Sequence, residues 1–305
     1  MMVGRDTEAM RLAVLENDRQ RVTVAPAIGG RVVSWVDRSS GREALWRNPQ
    51  LALKCCAPGA GYDSNFYGGM DELLPCDMPE TINGIACPDH GELWTLPLAD
   101  ERAGDTLILR GRLPLFRLDY ERRMRLEDNR LINEYRIANT AETGRRFQWK
   151  LHAALAVQPG DRIACPATTA CVADTDWSRR KTTTPFAWPD ADGLDMSLVP
   201  APDGTTEFVF LYGLTEGWMA LQAQDGARIE CRFDRKVFPF CCYFASYGAM
   251  GGAFTGLLQP CTTLPVPVKE AAEKGACAQL QPGEVLTTTV VWTYSNRGAS
   301  YGTVR

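Results

Sequence analysis

Two histidines serve the whole 305-residue chain: His90 in "CPDHGELW" and His152 in "FQWKLHAALAV". An imidazole, with an unperturbed pKa of about 6.5, can donate or accept a proton near neutrality, so these are the first candidates for acid–base chemistry. Strand alternation around the second histidine puts Phe147, Trp149, Leu151, Ala153, Leu155 and Val157 on one face and Gln148, Lys150, His152, Ala154 and Ala156 on the other. His152 thus falls on the polar face, which is either a ligand-lined surface or a solvated one, while Trp149 has the parity of the core. His90 follows Pro88-Asp89 and precedes Gly91 and Trp94, so it sits in a loop that an aromatic side chain can anchor. Loops held by a rigid sheet commonly carry binding residues, although a plain surface turn would read the same way.

The elements that must hold these side chains are strands. In "LFRLDYERRMRLE" the residues Phe116, Leu118, Tyr120, Met124 and Leu126 alternate with Arg117, Asp119, Glu121, Arg123 and Arg125, the pattern of a long half-buried strand. "NRLINEYRIANTAETGRRFQWKLHAALAV" predicts a strand, a polar turn over Asn139 to Gly144 and a further strand, as in an antiparallel meander. Shorter β-like runs cover Arg21 to Ala25, Arg31 to Val36, Thr106 to Arg112, Glu207 to Leu211 and Val285 to Tyr294, and the one helical candidate is short, Val268 to Lys274. With no repeat or polar linker to divide it, and with Pro166 to Pro202 read as a loop-rich excursion, residues 1–305 predict one all-β domain, a large antiparallel β-sandwich with few short helices.

Composition narrows the function classes. A 45% hydrophobic, 23% charged chain with formal net charge −4 carries no electrostatic footprint for nucleic acid. The stretch from Val237 to Val268 has no charged residue and exceeds the roughly 20 residues a spanning helix needs, but glycines between Gly248 and Gly252 and later prolines break it, which predicts strand, turn and strand. Eleven cysteines in a chain of this size, with a charged amino end "MMVGRDTEAM", read as a reduced, cytoplasmic protein. The neighbouring pairs Cys55-Cys56 and Cys241-Cys242 read as buried small hydrophobes, and neither a redox C-x-x-C nor zinc-ligand spacing occurs.

Taken in order, several segments resemble the galactose mutarotase-like family, the relatives of aldose 1-epimerases and glucose-6-phosphate 1-epimerases. "VAPAIGGRVVSWVDRSSGREALW" looks like its opening hairpins, "YGGMDELLPCDMP" like its G-G-x-x-E-x-x-P segment, and "PDHGELW" like the loop of its first active-site histidine. "NEYRIANTAETGRRFQWKLHAALAV" is similar to the strand pair delivering the second histidine, "FTGLLQPCTTLP" to the late G-x-E-P-x-x-x-P segment, and "LQPGEVLTTTVVW" to the closing P-G-E strand. The resemblance implies a β-supersandwich with a carbohydrate site on the concave face of one sheet. His152 would protonate the sugar ring oxygen, and His90 would stabilise or orient the same region. No metal or organic cofactor, nucleic acid or membrane is called for, the partner being a small-molecule carbohydrate.

One position departs from the pattern. Where the resemblance calls for a glutamate base, the chain has Gln259, whose neutral amide can hydrogen-bond a hydroxyl but cannot take its proton. Another carboxylate, Asp71, Glu72 or Glu92, is then the candidate base, with Trp94 and Lys150 as further sugar contacts. Glu270, Glu273 and Glu284 are weaker candidates, lying in a short helix and a strand entry. Phe66 and Tyr67 stand where many relatives have an arginine, so phosphosugar binding gains no support. Two functions remain in view: an aldose 1-epimerase-like isomerase with an atypical base, and a non-catalytic carbohydrate-binding protein on the same scaffold. Sugar selectivity would rest on loops such as Asp174 to Asp192.

Overall fold

The computed structural model describes residues 10–295, so nearly all of the charged amino-terminal stretch lies outside the described residues. Alternating side chains build two antiparallel sheets. One has nine strands in the order Ala13–Glu16, Gln20–Ala25, Arg31–Asp37, Met70–Leu73, Lys150–Ala156, Phe254–Cys261, Phe240–Tyr247, Thr205–Tyr212 and Thr169–Val172. The other has eight, ordered Arg162–Ala164, Trp218–Gln222, Arg228–Arg232, Val285–Ser295, Arg130–Asn139, Leu118–Glu127, Thr106–Leu113 and Ala99–Ala103. The predicted all-β sandwich is the observed architecture. The uncharged stretch is indeed strand, 3-10 turn and strand, and the short helix runs Val268–Glu273. Among the described residues no helix is long and apolar enough to cross a membrane.

The inner faces of the two sheets meet in one large core that includes Trp35, Trp149, Trp292, Tyr120, Tyr243, Phe116, Phe147 and Phe238, all fully buried. Burial on the order of 2 to 3 kcal/mol for each Leu- or Phe-sized side chain makes this core the main force holding the layers together. One charged cluster interrupts it. Glu72 accepts hydrogen bonds from Tyr135 Oη at 2.9 Å, Tyr120 Oη at 3.0 Å and Trp149 Nε1 at 2.8 Å, and lies 3.2 Å from Arg122 Nη1. Arg122 has the parity of the apolar face of its strand, and its partner comes from the opposite sheet.

Three expectations are corrected. The strands flanking Asn139 to Gly144 are not a hairpin: Arg130–Asn139 belongs to the eight-stranded sheet and Lys150–Ala156 to the nine-stranded one. Between them Arg145–Phe147 pairs with Ala278–Leu280, which carries the chain from one layer to the other. The chain is also not fully reduced, because Cys76 and Cys87 form a disulfide across the base of the hairpin Glu80–Ile82 and Ile85–Cys87. Cys241 and Cys242 are buried as expected, whereas Cys55 is exposed and Cys56 half-buried, since they lie in a surface loop.

Candidate active site

Register decides what meets on the outer face of the nine-stranded sheet. In the pairing of Met70–Leu73 with Lys150–Ala156, Asp71 is directly opposite His152 and Leu73 opposite Lys150. On the other side Lys150 pairs with Cys261 and Ala153 with Leu258, which brings Gln259 opposite His152, and Gln259 in turn pairs with Cys242. Cross-strand neighbours on one face have Cβ atoms about 5 Å apart. The row Asp71, His152, Gln259, Cys242 is thus fixed by backbone pairing alone.

His152 is held from behind. Its Nδ1 lies 2.9 Å from Asp71 Oδ1 and 3.1 Å from Tyr62 Oη, while Tyr62 donates its own proton to Asp71 Oδ2 at 2.7 Å. Burial would raise the Asp71 carboxyl, but the Arg31 guanidinium at 2.5 Å, then His152 and Tyr62, outweigh it and hold it at about 2. An ionised carboxylate only accepts hydrogen bonds, and the Tyr62 oxygen has already given its hydrogen away, so the His152 proton is on Nδ1. Burial also pushes the Tyr62 phenol up, which keeps it a donor. In His152 itself burial outweighs the pull of Asp71 and lowers the pKa.

The other histidine reaches the same place from a loop. His90 has φ +57° and Gly91 φ +78°, and a Cβ on Gly91 would collide with the Leu74 backbone. Leu74 O accepts from both Glu92 N at 2.8 Å and Leu93 N at 3.1 Å, so the loop is bolted to the strand end beside Asp71. His90 stacks on Tyr62 at 3.9 Å with an interplanar angle of 6°, and its ring centre is 6.5 Å from that of His152. Its Nδ1 lies 2.7 Å from Asp89 Oδ1; the other Asp89 oxygen accepts from Tyr62 N at 2.8 Å. Its Nε2 is 3.8 Å from Asp77 Oδ1.

Lys150 and Asp77 complete the cluster as a buried ion pair. Burial alone would raise Asp77 and lower Lys150; their contact reverses both, keeping the carboxylate and ammonium charged. The Cys76–Cys87 disulfide joins the residue preceding Asp77 to the segment that leads into His90. Gln259 is 2% exposed, and its amide makes no hydrogen bond among the described residues. Burial pushes the Cys242 thiol up to about 12 against the lowering effect of Lys150, so it is no ready nucleophile. Beyond Cys242 the same face continues as edge-to-face aromatic contacts, Tyr212 on Phe210 at 6.4 Å, Phe210 on Phe208 at 5.5 Å and Phe208 on Phe244 at 5.8 Å, with Trp177 from the 174–192 loop on Phe244 at 6.1 Å.

The sheet order, the two-layer core and this histidine arrangement can be set beside known proteins. The family described as a domain of unknown function, DUF5107, matches residues 4–71, and no curated protein matches the chain by sequence. Among solved structures, a Klebsiella pneumoniae protein named provisionally as an aldose 1-epimerase superposes with TM-score 0.76 at 16% identity, over 96% of this chain and 81% of that one. The Slr1438 protein from Synechocystis sp. PCC 6803 superposes with TM-score 0.72 at 17% identity, over 97% and 99%. A galactose mutarotase related enzyme from Lactobacillus acidophilus gives 0.69 at 13% identity, over 96% and 100%. The chain has the galactose mutarotase-like fold.

On this mutarotase-like sheet the structure gathers His152, His90, Lys150, Gln259 and Asp71 within one cluster. Asp71 lies behind His152, where it orients the imidazole. Three other candidates point elsewhere. Glu72 has the opposite parity to Asp71 and is spent in the core cluster with Arg122. Glu92 turns away to accept Leu115 N at 2.7 Å and Phe116 N at 3.1 Å. Trp94 is buried beneath the loop against Tyr62, its Nε1 donating to Asp89 O at 3.1 Å, so it supports His90 instead of offering a stacking surface. Sequence reasoning missed Arg31, Tyr62, Asp77 and Asp89. Asp89, adjacent to His90, carried a readable signal; Tyr62 carried none, because its role depends on a loop closing over Asp71, and Arg31 none, because its role depends on its strand pairing with Met70–Leu73.

Proposed function

We propose that the chain is an aldose 1-epimerase-like isomerase that interconverts the anomers of a sugar. The observation that carries this reading is the pair of histidines, each with Nδ1 on an aspartate, facing one another 6.5 Å apart on the outer face of the sheet. Opening a hemiacetal requires one group to take the anomeric proton and another to protonate the ring oxygen, and reclosure on the other face of the carbonyl gives the second anomer. Two imidazoles held in place by carboxylates are suited to both duties. In this reading Gln259 would hydrogen-bond a sugar hydroxyl, with Lys150 beside it held by Asp77, and the exposed Trp177 at the end of the aromatic rank would contact the remainder of the ligand. The fold shared with proteins whose names include galactose mutarotase supports the same reading.

A second reading, a carbohydrate-binding protein without turnover, is favoured by Gln259 alone. Anomer exchange measured by NMR separates the two. Purified protein is added to free sugars, uronic acids and phosphosugars at anomeric equilibrium, and magnetisation exchange between the anomers is compared with buffer. Exchange above the buffer rate on at least one sugar is expected; shifted or broadened sugar signals without exchange would establish the binding protein.

A further inference from the structure

We infer that His152 is the base that removes the anomeric proton and His90 the acid that protonates the ring oxygen, whereas the sequence resemblance implies His152 as the acid, His90 as an orienting group and a carboxylate as the base. The assignment rests on the mutarotase reading above. It follows from hydrogen-bond direction. Both partners of His152 Nδ1 are acceptors: Asp71 Oδ1 at 2.9 Å, and Tyr62 Oη at 3.1 Å with its hydrogen committed to Asp71 Oδ2. The Nδ1 proton is thereby fixed, and a neutral ring keeps a bare lone pair on Nε2. His90 differs in having a carboxylate near each nitrogen, Asp89 hydrogen-bonded to Nδ1 at 2.7 Å and Asp77 within ion-pair distance of Nε2 at 3.8 Å. Negative charge on both sides favours a ring bearing both protons, while Nε2 keeps no hydrogen-bond partner of its own among the described residues.

The charges around His152 fit a neutral ring. Asp71 faces it from the neighbouring strand and is neutralised by Arg31; Tyr62 and His90 face it from two loops; Lys150, on its own strand, is neutralised by Asp77; Gln259 and Cys242, across the other side, carry no charge. Burial favours the neutral form further. Gln259 then ceases to be an anomaly. A glutamate opposite His152 would stabilise the imidazolium, push its pKa up and remove the base. The amide leaves the base free.

The step balances without any co-reactant. His152 Nε2 takes the proton of the anomeric hydroxyl, the C1 carbonyl forms as the C1–O5 bond breaks, and O5 takes a proton from His90. After rotation about C1–C2 the O5 hydroxyl adds to the other carbonyl face, returning its proton to His90 while the new anomeric oxygen recovers one from His152. The enzyme ends as it began.

The test uses the full chain labelled with 15N-histidine, in which only two imidazoles resonate. Long-range 1H–15N spectra are recorded from pH 8 to pH 5 and assigned with His90→Asn, or with His152→Gln should the first variant not fold. His152 is expected as the neutral ring with its proton on Nδ1 and a bare Nε2 at pH 7. A doubly protonated His152 at pH 7, or a proton on Nε2, overturns the assignment. In parallel, Gln259→Glu is expected to slow anomer exchange about tenfold at pH 7 and to move the acid limb of the rate profile up by about one pH unit. Faster exchange in Gln259→Glu would mean that a carboxylate base had been missing, and overturns the assignment as well. No exchange by the wild type on any sugar overturns the mutarotase reading and the assignment with it, whereas exchange together with a protonated His152 overturns the assignment alone.

Discussion

Replacing Asp71 by asparagine tests the arrangement at its centre. The substitution keeps the shape and one acceptor oxygen but removes the charge that balances Arg31, whose side chain is only 3% exposed, and weakens the hold on His152 Nδ1. Two routes give the cost. The difference between the ordinary carboxyl value of 3.8 and about 2 in the folded chain, at about 1.4 kcal/mol per pH unit, corresponds to about 2.5 kcal/mol. Breaking a buried ion pair by removing one partner costs about 3 to 5 kcal/mol. We therefore expect Asp71→Asn to lose about 2 to 4 kcal/mol at pH 7, a large part of the ~5 to 15 kcal/mol by which proteins are stable. Urea unfolding with an unchanged m value measures it.

The sign of the pH dependence follows from the same shift. Because the folded carboxyl titrates below its unfolded value, the unfolded chain takes up the proton first as pH falls. The stabilisation is complete above about 3.8 and is lost as pH drops through about 2. The gap between wild type and Asp71→Asn should then shrink across that window, since protonation converts the wild-type side chain into a neutral acceptor like asparagine. A gap below about 0.5 kcal/mol at pH 7, or one that stays constant down to pH 2, would show that Asp71 is not the charged partner of Arg31 and His152.

Three further outcomes follow from other parts of the molecule. His152→Ala should lower anomer exchange by about 10² to 10⁴ with an unaltered circular dichroism spectrum, and unchanged exchange would remove it from the chemistry. Glu72→Gln strands Arg122 in the core and should cost about 3 kcal/mol in urea unfolding while leaving sugar affinity in the folded protein alone; an effect on affinity without one on stability would place Glu72 in the site after all. Gly91→Ala forces a side chain against Leu74 at a positive φ and should cost at least about 1 kcal/mol and weaken exchange through His90, measurable as a loss in both thermal midpoint and rate; a neutral result would mean that the loop is free to shift.

Much of the fold was legible because strand parity is a local property. Phe147 to Val157 alternates so regularly that the placement of Trp149 in the core and of His152 on the opposite face needs no tertiary knowledge. What parity cannot supply is which sheet a strand joins: Arg130–Asn139 and Lys150–Ala156 look like a hairpin, and only the pairing of Arg145–Phe147 with residues near 280 separates them. The site was half legible for the same reason. The histidines stood out by rarity, and Asp71 and Glu72 looked equivalent as neighbours in "MDEL"; one step of parity sends the first to His152 and the second into the core. The Cys76–Cys87 bond has no motif spacing, since a hairpin and not a short turn brings the sulfurs together.

The pairing that builds the site also sets when it can exist during folding. His152 lies 81 residues after Asp71 and some hundred before Gln259, and the intervening segments contribute most of the eight-stranded sheet. Contacts of such separation carry the loop-closure cost of the whole chain between them, which slows their formation relative to local hairpins. The strand Lys150–Ala156 has both of its neighbours far away in sequence, so its pairing carries this cost on either side. Histidine proximity is therefore expected late, and the rise of the Tyr62–His152 contact during refolding would mark completion of the sandwich and not its nucleation.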